Sequence, residues 1–235
     1  MIQITKDTRL VILTGAGISA ESGLRTFRDS GGLWEDQRVE DVATPEGFAR
    51  DPKLVWRFYK TRYKAAIDAQ PNSGHAALVI LEKFLGKNFC LITQNVDGLH
   101  TKAGSTGVLE MHGTLYECYC TKCLAMYRTA EIDLDPDLPV CSKCGSMLRP
   151  YIVWFGEIPY HLPEIEGKLR NCDLLMIIGT SGNVYPAAGF VMTAKYFGAS
   201  TMAVNLDTVA NSDYIDEFHQ GKAGDILPKL VEQWC

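Results

Sequence analysis

The sequence predicts an α/β chain: a doubly wound parallel sheet with a small cysteine-bearing module inserted in it. Three observations predict this. Short apolar, partly β-branched runs recur along the chain, each followed by Gly, Ser, Thr, Asn or Asp, with helical stretches between them. The first run leads directly into a glycine turn of the kind that faces a phosphate. Two Cys-x-x-Cys pairs interrupt the alternation past the middle of the chain.

Composition sets the bounds. The 235 residues can bury a sizeable core in one domain with a small insertion. A content of 46% apolar and 22% charged residues is that of an ordered globular chain. The net charge of −5 argues against a surface that tracks phosphates, so nucleic acid is not expected as the main ligand. The first apolar run is too short for a signal core or a membrane span, and no membrane partner is expected. Eight cysteines without such a signal point to metal or reduced thiols before disulfides. The expectation is a cytoplasmic protein.

Taken in order, residues 10–13 (Leu-Val-Ile-Leu) read as a buried strand. Gly15-Ala16-Gly17-Ile18-Ser19-Ala20 follows and fits the G-x-G-x-x-G/A pattern. Gly15 allows the tight turn, Gly17 lets the backbone approach a pyrophosphate, and Ala20 keeps the next segment close. A helix starting here would aim free N–H groups at the phosphates. An ordinary turn is the competing reading; the preceding strand favours the cofactor one. Residues 22–28, Ser-Gly-Leu-Arg-Thr-Phe-Arg, are no ordinary amphipathic helix. Residues 29–34, Asp-Ser-Gly-Gly-Leu-Trp, are either a lid or a surface turn anchored by Trp34. Roughly twenty residues past its glycines, a hydride-transferring enzyme has a strand ending in an acidic ribose ligand. Here that stretch is DSGGLWEDQRVED, which is no strand, so that class is disfavoured.

Thr44-Pro45 and Asp51-Pro52 are helix starts, an N-cap followed by Pro at N1. The second opens a helix over 53–69, on which Tyr59 and Arg62 share a face. By spacing alone they are an exposed pair covering a core stripe. A helix over 76–81 ends near Gly86, with His75 structural at its start. Residues 89–93 are a second strand, and Gln94, Asn95, Val96 and Asp97 follow at its carboxyl end, where open sheets bind ligands. A structural loop of Asx turns is the alternative. His112, between a short apolar run and Gly113, could move protons at neutral pH or be satisfied structurally.

Cys120-x-x-Cys123 and Cys141-x-x-Cys144, seventeen residues apart, have the spacing of a tetrahedral zinc site. Four thiolates leave no open position for water, so the metal is read as structural; four free or redox cysteines are the alternative. Cys118 could compete as a ligand, although its distance to Cys123 is not knuckle spacing. The polar, proline-bearing stretch 131–139 suits the loop of a small ribbon. Residues 151–157 (YIVWFGE) are a buried strand or a groove wall. Residues 174–178 and 201–204 are further core strands, ended by Gly179-Thr180-Ser181-Gly182 and Asn205-Leu206-Asp207. Residues 185–197 suit a crossover helix, and 223–234 a terminal one, with Pro228 tolerable only near its first turns or at a kink.

The segments GAGIS with FR, TQNVDGLH, the His-Gly pair, the two knuckles, VWFGE, GTS and NLD, in this order over almost the whole chain, resemble the sirtuins, NAD-dependent protein deacylases. The resemblance implies a Rossmann-like large domain (about 1–30, 72–115 and 152–235) and a small module, helical over about 31–71 and a zinc ribbon over about 116–151. NAD and an acyl-lysine peptide would meet between them. It implies NAD contacts from Gly15, Ala16, Gly17, Ser19, Ala20, Phe27, Arg28 and Trp34. Gln94, Asn95, Val96 and Asp97 would hold nicotinamide and its ribose, Asn95 also serving catalysis. Gly179, Thr180, Ser181, Asn205, Leu206, Asp207 and Ala223 would line the adenosine side. His112 would be the general base, and Val153 and Phe155 would wall the acyl-lysine tunnel. Leu24-Arg25-Thr26 departs from the Ile-Pro frequent in the family's deacetylases, and Tyr59-x-x-Arg62 resembles the pair in members that remove succinyl and malonyl groups. This displaces the covering-pair reading of that helix. The implied reaction consumes NAD and releases nicotinamide, O-acyl-ADP-ribose and free lysine on acylated protein substrates, with one structural zinc. ADP-ribosyl transfer to protein and a non-catalytic NAD-sensing module are the alternatives.

Overall fold

The computed structural model describes residues 2–25, 33–34 and 37–235, with backbone only at 33–34. The chain runs β1 (Leu10–Thr14), α1 (Gly17–Ala20), β2 (Leu33–Trp34), β3 (Gln37–Arg38), α2 (Val39–Val42), α3 (Pro45–Arg50), α4 (Pro52–Asp68) and α5 (Ser73–Leu85). It continues with β4 (Phe89–Thr93), α6 (Leu99–Ala103), β5 (Val108–Glu110), β6 (Gly113–Cys120), β7 (Met126–Arg128) and β8 (Leu148–Ile152). It ends with α7 (Leu162–Asn171), β9 (Leu174–Ile178), α8 (Phe190–Tyr196), β10 (Ser200–Asn205), β11 (Glu217–Gln220) and α9 (Ala223–Trp234).

Six strands form a parallel sheet in the order β11-β10-β9-β1-β4-β5. β1 pairs with β4 on one side and β9 on the other. The chain builds outward from β1 in one direction and later returns to build in the other, the reversal beside which open sheets hold ligands. Both faces are covered, which is why β1 reads as an unbroken apolar run. Leu10 and Ile12 enter a core with Leu78, Leu81, Leu227 and Trp234. Val11 and Leu13 enter the opposite core with Ile165, Leu169 and Val191.

In the parallel sheet, the strands that sequence patterning passed over sit at the edges. β11 alternates half-buried and exposed residues, and β5 is only half-buried. Neither forms the fully apolar run that marks a central strand. A separate antiparallel sheet, β7-β6-β8, packs with α2, α3 and α4 around a third core that includes Val55, Trp56, Tyr59, Leu115, Leu148 and Trp154. The stretch 151–157 is both of its alternatives: β8 ends at Ile152 and the chain then leaves the ladder as a loop.

Local signals account for the starts of α3, α4 and α5. Thr44 Oγ1 accepts from Gly47 N and Asp51 Oδ1 from Leu54 N, each at 2.9 Å, with Pro at the first helical position. His75 is structural, as expected: its Nδ1 accepts from Asn72 N while Asn72 Oδ1 accepts from His75 N, closing a capping box. The crossover helix starts later than its apolar pattern, at Phe190, after a 3₁₀ turn over Ala187–Gly189. Pro228 stands beyond the first turn of α9. The carbonyl it cannot serve, on Gly224, accepts from Ser73 Oγ at 2.7 Å, so no acceptor is lost. Among the described residues, no helix is long and apolar enough to cross a membrane.

Candidate active site

A cavity of about 550 Å³ runs from the carboxyl ends of β1, β4, β9 and β10 to α4 and the loop after β8. Gly15, Ala16, Gly17, Ser19, Ala20, Gln94, Asn95, Val96, Asp97, His112, Gly179, Thr180, Ser181, Asn205, Leu206 and Asp207 all line it. So do Tyr59, Arg62, Val153 and Phe155. Ala223 does not: it opens α9, buried in the core beneath the sheet. Phe27, Arg28, residues 29–32 and the side chain of Trp34 lie outside the described residues.

At one end the wall is backbone. Gly17 N donates to Gly179 O at 2.8 Å, and Gly15 N to Ile178 O at 2.9 Å. A Cβ on Gly17 would lie 2.7 Å from Gly179 Cα, and one on Gly15 would lie 2.8 Å from Gly179 O. Positive φ is required at Gly179 (+60°) but is not what demands glycine at 15 and 17. The turn after β1 needs glycine because the turn after β9 presses against it, a reason the sequence pattern did not supply. The helix expected here is a single turn, Gly17–Ala20.

Next to it lies a buried polar cluster. Ser19 Oγ donates to Asp97 Oδ2 at 2.8 Å and accepts from Asn95 Nδ2 at 3.2 Å. Asn95 Nδ2 also reaches Gly15 O at 3.1 Å, and Asp97 Oδ1 accepts from Leu99 N. Ser19 thereby ties the glycine turn to the loop after β4. Gln94 Nε2 donates to Thr180 Oγ1, and Asn205 Nδ2 to Thr180 O, linking three strand ends.

His112 sits midway. Its Nδ1 is 3.1 Å from Gln94 O. A carbonyl can only accept, so Nδ1 carries a proton, and in the neutral ring Nε2 keeps its lone pair. Burial lowers the imidazole from its ordinary value and so favours the neutral ring, while that hydrogen bond partly opposes the shift.

At the other end the wall is made of side chains. Tyr59 is buried, and its hydroxyl accepts from Trp154 Nε1 at 2.9 Å. Burial pushes the phenol up to about 12, so it stays a donor. Arg62, one turn further along α4, holds its guanidinium 5.6 Å from the Phe58 ring and 5.9 Å from the Tyr59 ring. Motif matching picked out Val153 and Phe155 but passed over Trp154, Leu115 and Tyr185, which also line the cavity. In a strand Trp154 would point away from its two neighbours. The loop after β8 is not a strand, and all three residues meet the cavity. An indole at the centre of VWFGE was the signal available.

The four knuckle sulfurs lie within 4.8 Å of one another. Cys120 and Cys144 Sγ are 3.5 Å apart, and Cys123 and Cys141 Sγ 3.6 Å. Four thiolates about 2.3 Å from a common zinc are about 3.8 Å apart, so the donor set fits one structural zinc ion. The Tyr127 hydroxyl, 3.1 Å from Cys141 Sγ, favours the thiolate and brings that thiol down to about 6. Cys118 is not in the cluster; it is buried in the core of the module, where burial pushes its thiol up to about 12.

Comparisons with known proteins agree with this geometry. The Sir2 family model matches residues 15–186. An NAD-dependent protein deacylase of Pasteurella multocida is 49% identical over 233 residues, covering 98% of this chain and 100% of that protein. The solved structure of a Sir2 homolog–NAD complex superimposes with a TM-score of 0.89 at 41% identity, covering 97% of this chain and 90% of that one. A Sir2 variant solved with a deacetylated p53 peptide and 3′-O-acetyl ADP ribose gives a TM-score of 0.87 at 32% identity, over 95% and 92% of the two chains. With its parallel sheet, glycine-lined cavity and four-cysteine module, this chain belongs to the Sir2 family, the sirtuins.

Proposed function

We propose that this chain is an NAD-dependent protein-lysine deacylase that removes succinyl and malonyl groups as well as acetyl groups, returning free lysine, nicotinamide and O-acyl-ADP-ribose. The observation that carries the acyl range is that Tyr59 and Arg62 line the same cavity as His112. A succinyl chain ends in a carboxylate, for which a guanidinium and a protonated phenol are suited donors, whereas an acetyl group ends in a methyl.

When bound, NAD supplies a ribose carbon from which nicotinamide can leave. The residues of the chain divide the remaining work. The turn at 15–20 and the strand end at 179–181 form the close-packed backbone cradle for the dinucleotide. Asn95 and Asp97, fixed by Ser19, orient the nicotinamide half. His112 Nε2 takes the proton of a hydroxyl presented to it, while Nδ1 stays anchored on Gln94 O. Val153 and Phe155 flank the acyl-lysine arm, and the cysteine module holds the zinc that stabilises that side of the cavity.

The test is one peptide carrying acetyl-, succinyl- or malonyl-lysine, assayed with NAD by mass spectrometry of both products. The proposal expects all three to be deacylated, with the lower KM for the two acidic groups. Turnover of the acetyl form alone would leave a deacetylase, and ADP-ribosylated peptide with the acyl group retained would mean a different transfer.

A further inference from the structure

Beside the acyl end of the cavity lies a linked set of side chains that the function above does not use. Arg149, on β8, makes a two-pronged pair with Glu157: Nη1 to Oε1 at 2.8 Å and Nη2 to Oε2 at 2.5 Å. Arg149 Nη2 also reaches Ile152 O at 3.1 Å, and Glu157 Oε2 accepts from Trp154 N at 2.9 Å. Together they close the loop after β8 on itself. The pair is largely buried, with side-chain exposures of 12% and 28%. A buried pair is a weak stabiliser, because desolvation offsets most of the attraction, so geometry is the better account of what it does.

That geometry converges on Trp154. The Arg149 guanidinium lies 3.6 Å from the centre of the indole, the Phe48 ring packs 5.2 Å from it, and its Nε1 donates to Tyr59 Oη at 2.9 Å. The phenolic proton lies in the plane of its ring and has two orientations. With one side of the oxygen taken by the indole N–H, the proton is left to the other. Arg149 and Glu157 therefore set the indole, and the indole sets the direction in which Tyr59 donates.

We propose that Trp154, held by Arg149 and Glu157, is a positioning residue that aims the Tyr59 hydroxyl proton at a carboxylate-ended acyl group and so contributes to acyl preference. This rests on the acidic-acyl reading above. It assigns the preference to five residues, Tyr59 and Arg62 as contacts and Trp154 with the Arg149–Glu157 pair as the support that orients one of them.

The experiment is a double-mutant cycle. Trp154→Phe keeps a ring and removes the indole N–H; Tyr59→Phe removes the hydroxyl. Succinyl- and acetyl-lysine forms of one peptide are assayed with kcat and KM separated. Trp154→Phe is expected to raise the succinyl KM by about three- to tenfold, the lower part of the range for residues in contact, and to add nothing further in the Tyr59→Phe background. Glu157→Gln, which weakens the support without touching the indole, should shift the succinyl KM in the same direction by less, and it serves if Trp154→Phe fails to fold. If Trp154→Phe raises the succinyl KM equally in both backgrounds, or Glu157→Gln leaves that KM unmoved, the positioning role is overturned while the acidic-acyl reading stands. If Tyr59→Phe alone leaves the succinyl-to-acetyl ratio unchanged, the acidic-acyl reading fails and the positioning role falls with it.

Discussion

The two ends of the cavity are built differently. At the glycine end, backbone meets backbone: the turns after β1 and β9 approach so closely that a single Cβ on Gly17 would overlap Gly179. At the acyl end, side chains from α4 meet side chains from the loop after β8, and Tyr59 and Trp154 share one hydrogen bond across two segments. A backbone-built wall admits no side chain, whatever its chemistry. A side-chain-built wall can keep its volume and change its chemistry. On the proposed function, recognition of a constant co-substrate falls to the first and discrimination among acyl groups to the second.

Removing one knuckle cysteine should have the largest effect. The acyl end shares its core with the zinc module, since Tyr59, Trp154, Cys120 and Cys141 belong to one cluster. The binding energy of a closed thiolate site, on the order of 10 kcal/mol, is folding energy for such a module. Cys141→Ser is expected to lose zinc by elemental analysis and to lose activity on every acyl-lysine, with peptide binding hit harder than NAD binding in calorimetry. A zinc-free variant of full activity would break the distinction between the ends.

His112 stands between them. His112→Ala should lower kcat by about 10²–10⁴ while leaving the Kd for NAD nearly unchanged. The wild-type pH profile gives an independent reading. A base must be neutral to act, and burial lowers this imidazole. The acid limb of kcat/KM is therefore expected below the ordinary histidine value of about 6.5, activity falling only as the pH drops through the lowered value. An acid limb above that value would remove the assignment.

Arg62→Met sharpens the acyl end. Loss of a charge-assisted contact should cost roughly 1.5–3 kcal/mol, about ten- to a hundredfold. It should appear in the KM for succinyl-lysine and far less in deacetylation. Equal losses on both substrates would mean that the residue supports the helix and does not read the acyl group.

Gly17→Ala probes the other wall and should cost about 1–3 kcal/mol as overpacking. The expected outcome is weaker NAD binding with the succinyl-to-acetyl ratio unchanged. A changed ratio would mean that the two ends are coupled.

Much of this protein is legible in its amino-acid sequence. The central strands can be read because a strand buried on both faces shows as an apolar run, as at 10–13 and 174–178. Thr44, Asp51 and their prolines announce two helix starts because capping is local. The knuckle cysteines announce a metal because ligand spacing is local too. What escapes depends on distant partners. The edge strand β11 carries no apolar run, since one side of it meets solvent. Glycine at 15 and 17 is demanded by a backbone more than 160 residues away in sequence. Pro228 is tolerated because Ser73, on another helix, takes the carbonyl it leaves. Trp154 joins the cavity wall only because the chain leaves the ladder at Ile152. Sequence alone determined which local pieces form, because periodicity, capping and ligand spacing act within a few residues. The tertiary structure decided which of those pieces touch, because close approach and shared hydrogen bonds exist only once distant segments are packed together.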